Sequence, residues 1–270
     1  MSSSQSIYIH GHRGSRGTHP ENTFAAFEEA RNSGADFFEI DVRLSADAIP
    51  VVYHDSHLSS RLCLDPTGNP LDRQIPLRQL TAEAIGTYQI GRILDPRFPS
   101  QKQIPLAGIP TLEAVLVWLA DKKKDIGINI ELKVDSEEAD LLARIVLELV
   151  RQYALLSRSI IQSFELRSLA AIRRIVQDAN LSCLFDSEED FAEKALSIGS
   201  QMVGPRSDLL SAKKVAECRT KGIRVVPWTV NDPMDWERLL TLGVDGIITD
   251  YPRKLSDYLG RGSKRDAKNG

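Results

Sequence analysis

The chain has 270 residues, 42% of them hydrophobic and 26% charged, and carries a net charge of −3. That balance suits a globular protein with a filled core and lacks the excess positive charge that nucleic acid or an acidic membrane surface would select. Three scattered cysteines, Cys63, Cys183 and Cys218, form no CxxC pair and read as free thiols of a reducing compartment, with neither a disulfide frame nor a zinc site.

The chain opens with MSSSQS and then a short apolar run. No basic stretch followed by a long apolar segment precedes it, and nowhere does an apolar run approach the roughly 20 residues of a membrane span. The expectation is a cytoplasmic chain with no stable membrane insertion and no nucleic-acid partner. From here β-branched runs alternate with helical patterns. Strands are expected at Ile7–His10, Phe37–Val42, Val51–Tyr53, Ile126–Leu132, Ser159–Ser163, Leu181–Phe185, Gln201–Val203, Ile223–Thr229 and Gly246–Thr249. Helices are expected at Thr23–Ser33, Thr111–Lys122, Ser136–Tyr153, Leu166–Asp178, Glu188–Ile198, Ser211–Lys221 and Asp232–Leu242. Gly34, Gly222 and Gly243 follow three of these as C-caps. Such alternation predicts βα units around a parallel sheet.

Nine strands exceed the eight of a closed barrel, and the surplus lies in "EIDVRLSADAIPVVYHD". The link between the second and third runs is too short for a crossover helix, so those strands must be antiparallel, an excursion and return at the rim. The remaining eight make an α/β fold, a (β/α)₈ or TIM barrel, with a small inserted segment after the second strand. The domain is expected over residues 1–259, with the proline-rich stretch 55–110 as the insert and 260–270 as a disordered tail.

In such a barrel, reactive side chains belong at the C-terminal ends of the strands. Strand one ends in His10-Gly11-His12-Arg13-Gly14, strand two carries Glu39 and Asp41, and its return ends in His54-Asp55. The next barrel strand, INIELK, carries Glu131 and Lys133. Later strands end in Gln162-Ser163-Phe164, in Trp228-Thr229-Val230-Asn231 and in Thr249-Asp250. Glu39 and Asp41, two apart, share a face of the strand. Glu131 points to the same place. Three buried carboxylates repel one another unless a cation compensates, and a hard divalent ion bound by oxygens, Mg²⁺ or Ca²⁺, does so. The alternative is a buried ion-pair network with Arg43 and Lys133.

His12 and His54 flank this cluster as a candidate proton-transfer pair. His10, inside the strand, reads as a supporting residue, and His19 and His57 as loop residues. Arg13 and Lys133 supply the positive charge a phosphate needs. Glu21 can brace His12 or Arg13, and Asn22 or Thr23 can cap the helix that follows. Trp228 at the mouth offers a wall for an alcohol group. There is no P-loop, no GxGxxG after the first strand and no nucleophile elbow at Ser163.

These residues resemble the glycerophosphodiester phosphodiesterases from about Ile7 to Pro252. The likeness rests on HRG at 12–14, PENT at 20–23, EIDV at 39–42, VVYHD at 51–55, ELK at 131–133, QSF at 162–164, WTVN at 228–231 and DGIITDYP at 245–252. After His54-Asp55 the chain departs from the family's pattern, with Arg61 one place late. The resemblance implies a (β/α)₈ barrel and hydrolysis of glycerophosphodiesters, such as glycerophosphocholine or glycerophosphoethanolamine, to sn-glycerol 3-phosphate and an alcohol. It further implies Glu39, Asp41 and Glu131 as ligands of a divalent cation and His12 and His54 as the acid–base pair. Arg13 and Lys133 become phosphate contacts, Trp228 a substrate wall, and Glu21, Asn22, Gln162 and Phe164 supports around them. Two rivals remain: a phosphodiesterase of lysophospholipids, using Leu62, Leu64, Leu71, Ile75 and Leu77 as a groove, and a non-catalytic phospho-ligand barrel. Head group, Mg²⁺ against Ca²⁺, the division of labour between the histidines and oligomeric state are left open by the residues.

Overall fold

Side chains one apart on a strand point to opposite faces, and this chain uses the two faces for different purposes. In the computed structural model, which describes residues 7–121, 125–135 and 137–261, Ile9, Phe38, Ile40, Val42, Ile128, Ile130, Leu132 and Ile161 pack outward beneath helices in one large core. The alternate positions point inward. There Ile160, Met202, Val226 and Ile248, with Phe37 and Trp228, form a separate inner cluster, and His10, Glu39, Asp41, Asn129, Glu131 and Gln162 are buried polar residues. Lys122 and Ser136, the predicted ends of two helices, and residues 262–270 of the predicted tail lie outside the described residues.

The strand β1 (Tyr8–Gly11) leads by a loop to α1 (Phe24–Asn32), β2 (Phe37–Leu44) and β3 (Pro50–Val52). After β3 come β4 (His57–Leu58), β5 (Cys63–Leu64), β6 (Ile75–Pro76), α2 (Ala82–Gly86), β7 (Gln89–Ile90) and β8 (Ala107–Gly108). The βα rhythm resumes with α3 (Leu112–Asp121), β9 (Gly127–Leu132), α4 (Ala139–Gln152), β10 (Ser159–Ser163), α5 (Leu166–Ile175) and β11 (Leu181–Phe185). It closes with α6 (Phe191–Ser197), β12 (Met202–Pro205), α7 (Ala212–Thr220), β13 (Arg224–Val225), α8 (Pro233–Leu242), β14 (Gly246–Thr249) and α9 (Pro252–Tyr258).

Eight parallel strands run in the order β13-β12-β11-β10-β9-β2-β1-β14, and β3 pairs antiparallel with β2, Val42 opposite Val52. The expected TIM barrel and its rim excursion are therefore both present. The ring is nearly closed at β13 and β14, where Asp245 N donates to Val225 O, Ile248 N to Pro227 O and Val230 N to Ile248 O, each at 2.9 Å. The strand expected over Ile223–Thr229 is only two residues long. Beyond it, pairing with β12 continues only as an isolated bridge between Arg206 and Trp228, and Pro227, which accepts from Ile248 N, has no N–H to give β14 in return.

Local signals set most boundaries. Thr23 caps α1, its hydroxyl accepting from Ala26 N at 3.2 Å. Gly34, Gly222 and Gly243 all adopt positive φ behind their helices. Between β3 and α3 the chain builds two small sheets, β4-β6 and β5-β7-β8. These surround a core of their own that includes Tyr53, Leu58, Cys63, Leu77, Ile85 and Ile90. Among the described residues no helix is long and apolar enough to cross a membrane.

Candidate active site

Parallel pairing of β2 with β9 sets Asp41 beside Glu131 and Glu39 beside Asn129. Because β2 alternates, Glu39 and Asp41 face inward together, and oxygens of Glu39, Asp41 and Glu131 lie within 4.8 Å of one another. All three residues are buried.

Their surroundings differ. Glu39 Oε2 accepts from the backbone N–H of Arg13 at 2.8 Å, while Glu39 Oε1 is buried with no hydrogen-bond partner. Burial, then the charges of Asp41 and Glu131, push the Glu39 carboxyl well above the ordinary carboxylate range. Burial also lifts Glu131, tempered by Lys133, whose Nζ lies 2.5 Å from Glu131 Oε1 and 3.4 Å from Asp41 Oδ1. Asp41 goes the other way. Burial would raise it, but Arg13, with Nε 3.1 Å from Asp41 Oδ2, and Lys133 outweigh burial and hold it low. Arg43, weighed as an ion-pair partner, instead donates to the backbone carbonyl of His54 at 2.6 Å. Positive charge thus reaches the acids from two sides, Arg13 on the β1–α1 loop and Lys133 just past the end of β9.

A buried carboxylate trio in which Glu39 Oε1 has no partner at all, Asp41 Oδ1 and Glu131 Oε1 have only the Lys133 charge, and two members are pushed toward protonation is short of positive charge at its centre. The donor set, oxygen only and anionic, fits a hard divalent cation.

The loop is held with some strain. Arg13 and Asn22 have φ of 50° and 57°, unusual for side-chain-bearing residues. The strain is offset by pairing. Asn22 Nδ2 donates to Asp41 Oδ2 at 3.0 Å, so this residue supports the acid and leaves the helix cap to Thr23. Glu21 holds two arginines, with Oε1 2.8 Å from Arg13 Nη1 and Oε2 2.8 Å from Arg16 Nε.

Both histidines stand at the mouth of the same pocket, of about 200 Å³, together with Arg13, Glu39, Glu131, Lys133, Gln162 and Trp228. Each is oriented by an aspartate that the sequence did not single out. His12 Nδ1 donates to Asp250 Oδ1 at 2.7 Å, and Asp250 is in turn held by Asn231 Nδ2 at 2.7 Å. His54 Nδ1 donates to Asp55 Oδ1 at 2.6 Å, and Asp55 is braced by Arg61 at 2.7 Å. An aspartate on Nδ1 fixes the tautomer and turns Nε2 to whatever the pocket binds. Burial lowers the His12 pKa, partly offset by Asp250. No local motif could have paired His12 with a residue 238 positions away; the only clue is that β1 and β14 become neighbours when the barrel closes.

Behind the acids, Asn129 Nδ2 donates to Gln162 Oε1 at 2.9 Å and lies 3.3 Å from His10 Nδ1. At the rim, Phe164 meets Trp228 edge to face at 5.6 Å, and Trp228 Nε1 donates to Gly204 O at 2.7 Å. Phe164 thus belongs to the outer wall, with Lys133 Nζ 5.9 Å from its ring centre. His57 lies in β4 with Nδ1 2.8 Å from Ser56 Oγ, and His19 contacts Thr18; neither reaches the pocket.

Comparison with known proteins agrees in extent. The profile of the Glycerophosphoryl diester phosphodiesterase family matches residues 12–254. A glycerophosphodiester phosphodiesterase of Caldanaerobacter subterraneus subsp. tengcongensis is 30% identical over 252 residues, covering 93% of this chain and 97% of that protein. A crystal structure from Silicibacter pomeroyi DSS-3, named for the same activity, superposes with a TM-score of 0.86 at 30% identity, over 96% of this chain and 93% of that one. A phosphodiesterase of Oleispira antarctica, solved with the product sn-glycerol-3-phosphate, shares the fold with a TM-score of 0.80 at 22% identity, over 94% and 96% of the two chains.

Proposed function

Because the chain belongs to the glycerophosphoryl diester phosphodiesterase family, we propose that it hydrolyses glycerophosphodiesters, glycerophosphocholine and glycerophosphoethanolamine among them, to sn-glycerol 3-phosphate and an alcohol. Glu39, Asp41 and Glu131 hold a divalent cation, Mg²⁺ or Ca²⁺, and His12 and His54 move the protons. One observation carries this reading: three carboxylates, one with an orphaned buried oxygen, meet beneath two aspartate-oriented histidines in one pocket.

When bound, the cation would supply Lewis-acid stabilisation of charge on the phosphoryl oxygens. The protein's own groups do the rest. Arg13 and Lys133 keep the acids in place and add positive charge where the phosphorus becomes five-coordinate. With Nδ1 engaged by aspartate, each histidine works through Nε2. One takes the proton of the attacking oxygen, from water or from the adjacent glycerol hydroxyl. The other returns a proton to the departing alcohol. Two such groups give a bell-shaped pH profile. Trp228 and Phe164 shape the wall against which the alcohol half rests.

Glycerol 3-phosphate release from a panel of diesters, in chelator and after adding back each cation, tests the assignment. Turnover is expected only with metal, and His12→Ala and His54→Ala are each expected to lose on the order of 10²-fold or more. Near-wild-type rates in both variants would remove the histidines from the mechanism. The lysophospholipid reading has less support. Leu62, Leu71, Ile75 and Leu77 pack into the insert's own core and do not line the histidine pocket. Comparing lysophosphatidylcholine with glycerophosphocholine as substrates separates the two.

A further inference from the structure

Beside the histidine pocket lies a second, open-sided cavity of about 560 Å³, lined by Arg13, Arg16, His54, Asp55, Arg61, Asp95, Pro96 and Arg97. It shares Arg13, Arg16 and His54 with the first. A molecule seated with its reacting atoms at His54 therefore reaches into it without leaving the protein surface. The far wall is built by the insert. Asp95 is buried and meets three guanidinium groups: Arg97 Nη2 at 2.5 Å, Arg16 Nη2 at 3.5 Å and Arg61 Nη1 at 3.8 Å.

Phe98 lies beneath two of them, 4.8 Å from the Arg16 guanidinium carbon and 5.8 Å from that of Arg97. Gln101 ties this segment to the β1–α1 loop, its amide donating to Arg16 O at 2.7 Å. Glu21 and Asp41 neutralise Arg13 and Arg16 from behind. That leaves Arg97, whose side chain is 59% exposed, as the main outward donor, with Arg61, 41% exposed, beside it and already holding Asp55 through Nη2 at 2.7 Å. One buried carboxylate shared by three guanidiniums leaves N–H groups without acceptors, and Arg97 Nη1 has no hydrogen-bond partner among the described residues. Forked, fixed, under-used guanidinium donors are a phosphate-binding arrangement.

We propose that this cavity is a subsite for a second phosphate, carried on the alcohol half of the diester. The inference rests on the diesterase reading of the neighbouring pocket and narrows it to a substrate class, glycerophosphodiesters whose leaving alcohol is itself phosphorylated.

The test uses the full chain with its cation and two substrates, glycerophosphoglycerol and the same compound with one more phosphate on the far glycerol. The wild type is expected to favour the phosphorylated substrate roughly tenfold in kcat/KM, mostly through KM. Arg97→Gln, at an exposed position outside the catalytic set, is expected to erase the preference and leave glycerophosphoglycerol turnover unchanged. Equal wild-type kcat/KM for the two substrates, or a preference that survives Arg97→Gln, overturns the subsite while leaving the diesterase reading intact. Hydrolysis of neither substrate overturns both.

Discussion

Asp250 decides which nitrogen of His12 carries the proton, and that proton's place decides whether Nε2 can act as a base. Asp250→Asn preserves the shape but not the charge on which the tautomer depends. We expect kcat to fall on the order of 10²–10³-fold with KM little changed, read by steady-state kinetics. Glu39 poses the opposite case. Its carboxyl is fully buried beside two like charges, so in chelator it opposes folding. Glu39→Gln should raise the stability of the chelated protein by about 1 kcal/mol, a few degrees of Tm, while abolishing turnover. A lower Tm in EDTA would show that Glu39 is compensated without a cation. At this scale the sequence was informative where chemistry is local. The i, i+2 spacing on β2 was enough to place Glu39 and Asp41 together. Asp55 and Asp250 were visible at strand ends but had no assigned role, because nothing local says which group a strand-end aspartate will meet, and only folding brings Asp250 to a histidine.

The β1–α1 loop is the element that makes the site, and its glycines show how tightly it is held. Gly14 has φ +86°, and a Cβ there would stand 2.6 Å from the carbonyl carbon of Ala26 in α1. Gly222, at φ +71° behind α7, has nothing within 4 Å of its missing Cβ. Gly14→Ala should therefore cost roughly 3 kcal/mol or more, and Gly222→Ala about 1 kcal/mol, by urea unfolding. Similar costs at the two positions would mean that the loop yields. Helices and barrel strands were largely legible, because period and capping residues are encoded within each segment. The insert was legible only as an interruption. Its strands are two residues long, too short for alternation to register, and α2 spans only five residues. The short α9 was likewise missed, although Pro252 at its first turn is an N-terminal signal.

The whole molecule is closed around a polar interior, and this sets its response to acid. His10 is fully buried, and burial, then the Arg224 charge, lowers its pKa from 6.5 to about 3. The unfolded chain takes up a proton below pH 6.5 while the folded one does not until about pH 3. Stability from this residue is thus complete above 6.5 and declines as pH falls toward 3. Between pH 6.5 and 5 the wild type should lose up to ~2 kcal/mol more than His10→Gln in denaturant titrations. Parallel slopes for the two proteins would show that His10 is protonated in the fold.

The junction at Pro227 has a kinetic consequence. Seven of the eight strand borders are continuous ladders, whereas β13 meets β14 through a few bonds around a residue that cannot donate. Amide deuterium uptake should consequently start along this border, at Val230, Asp245 and Ile248, well before it reaches Ile128–Leu132. One stave of that slack hoop leads to Trp228 and the other to Asp250, so breathing there would widen the mouth on the side of His12 and leave the acids on β2 and β9 in place.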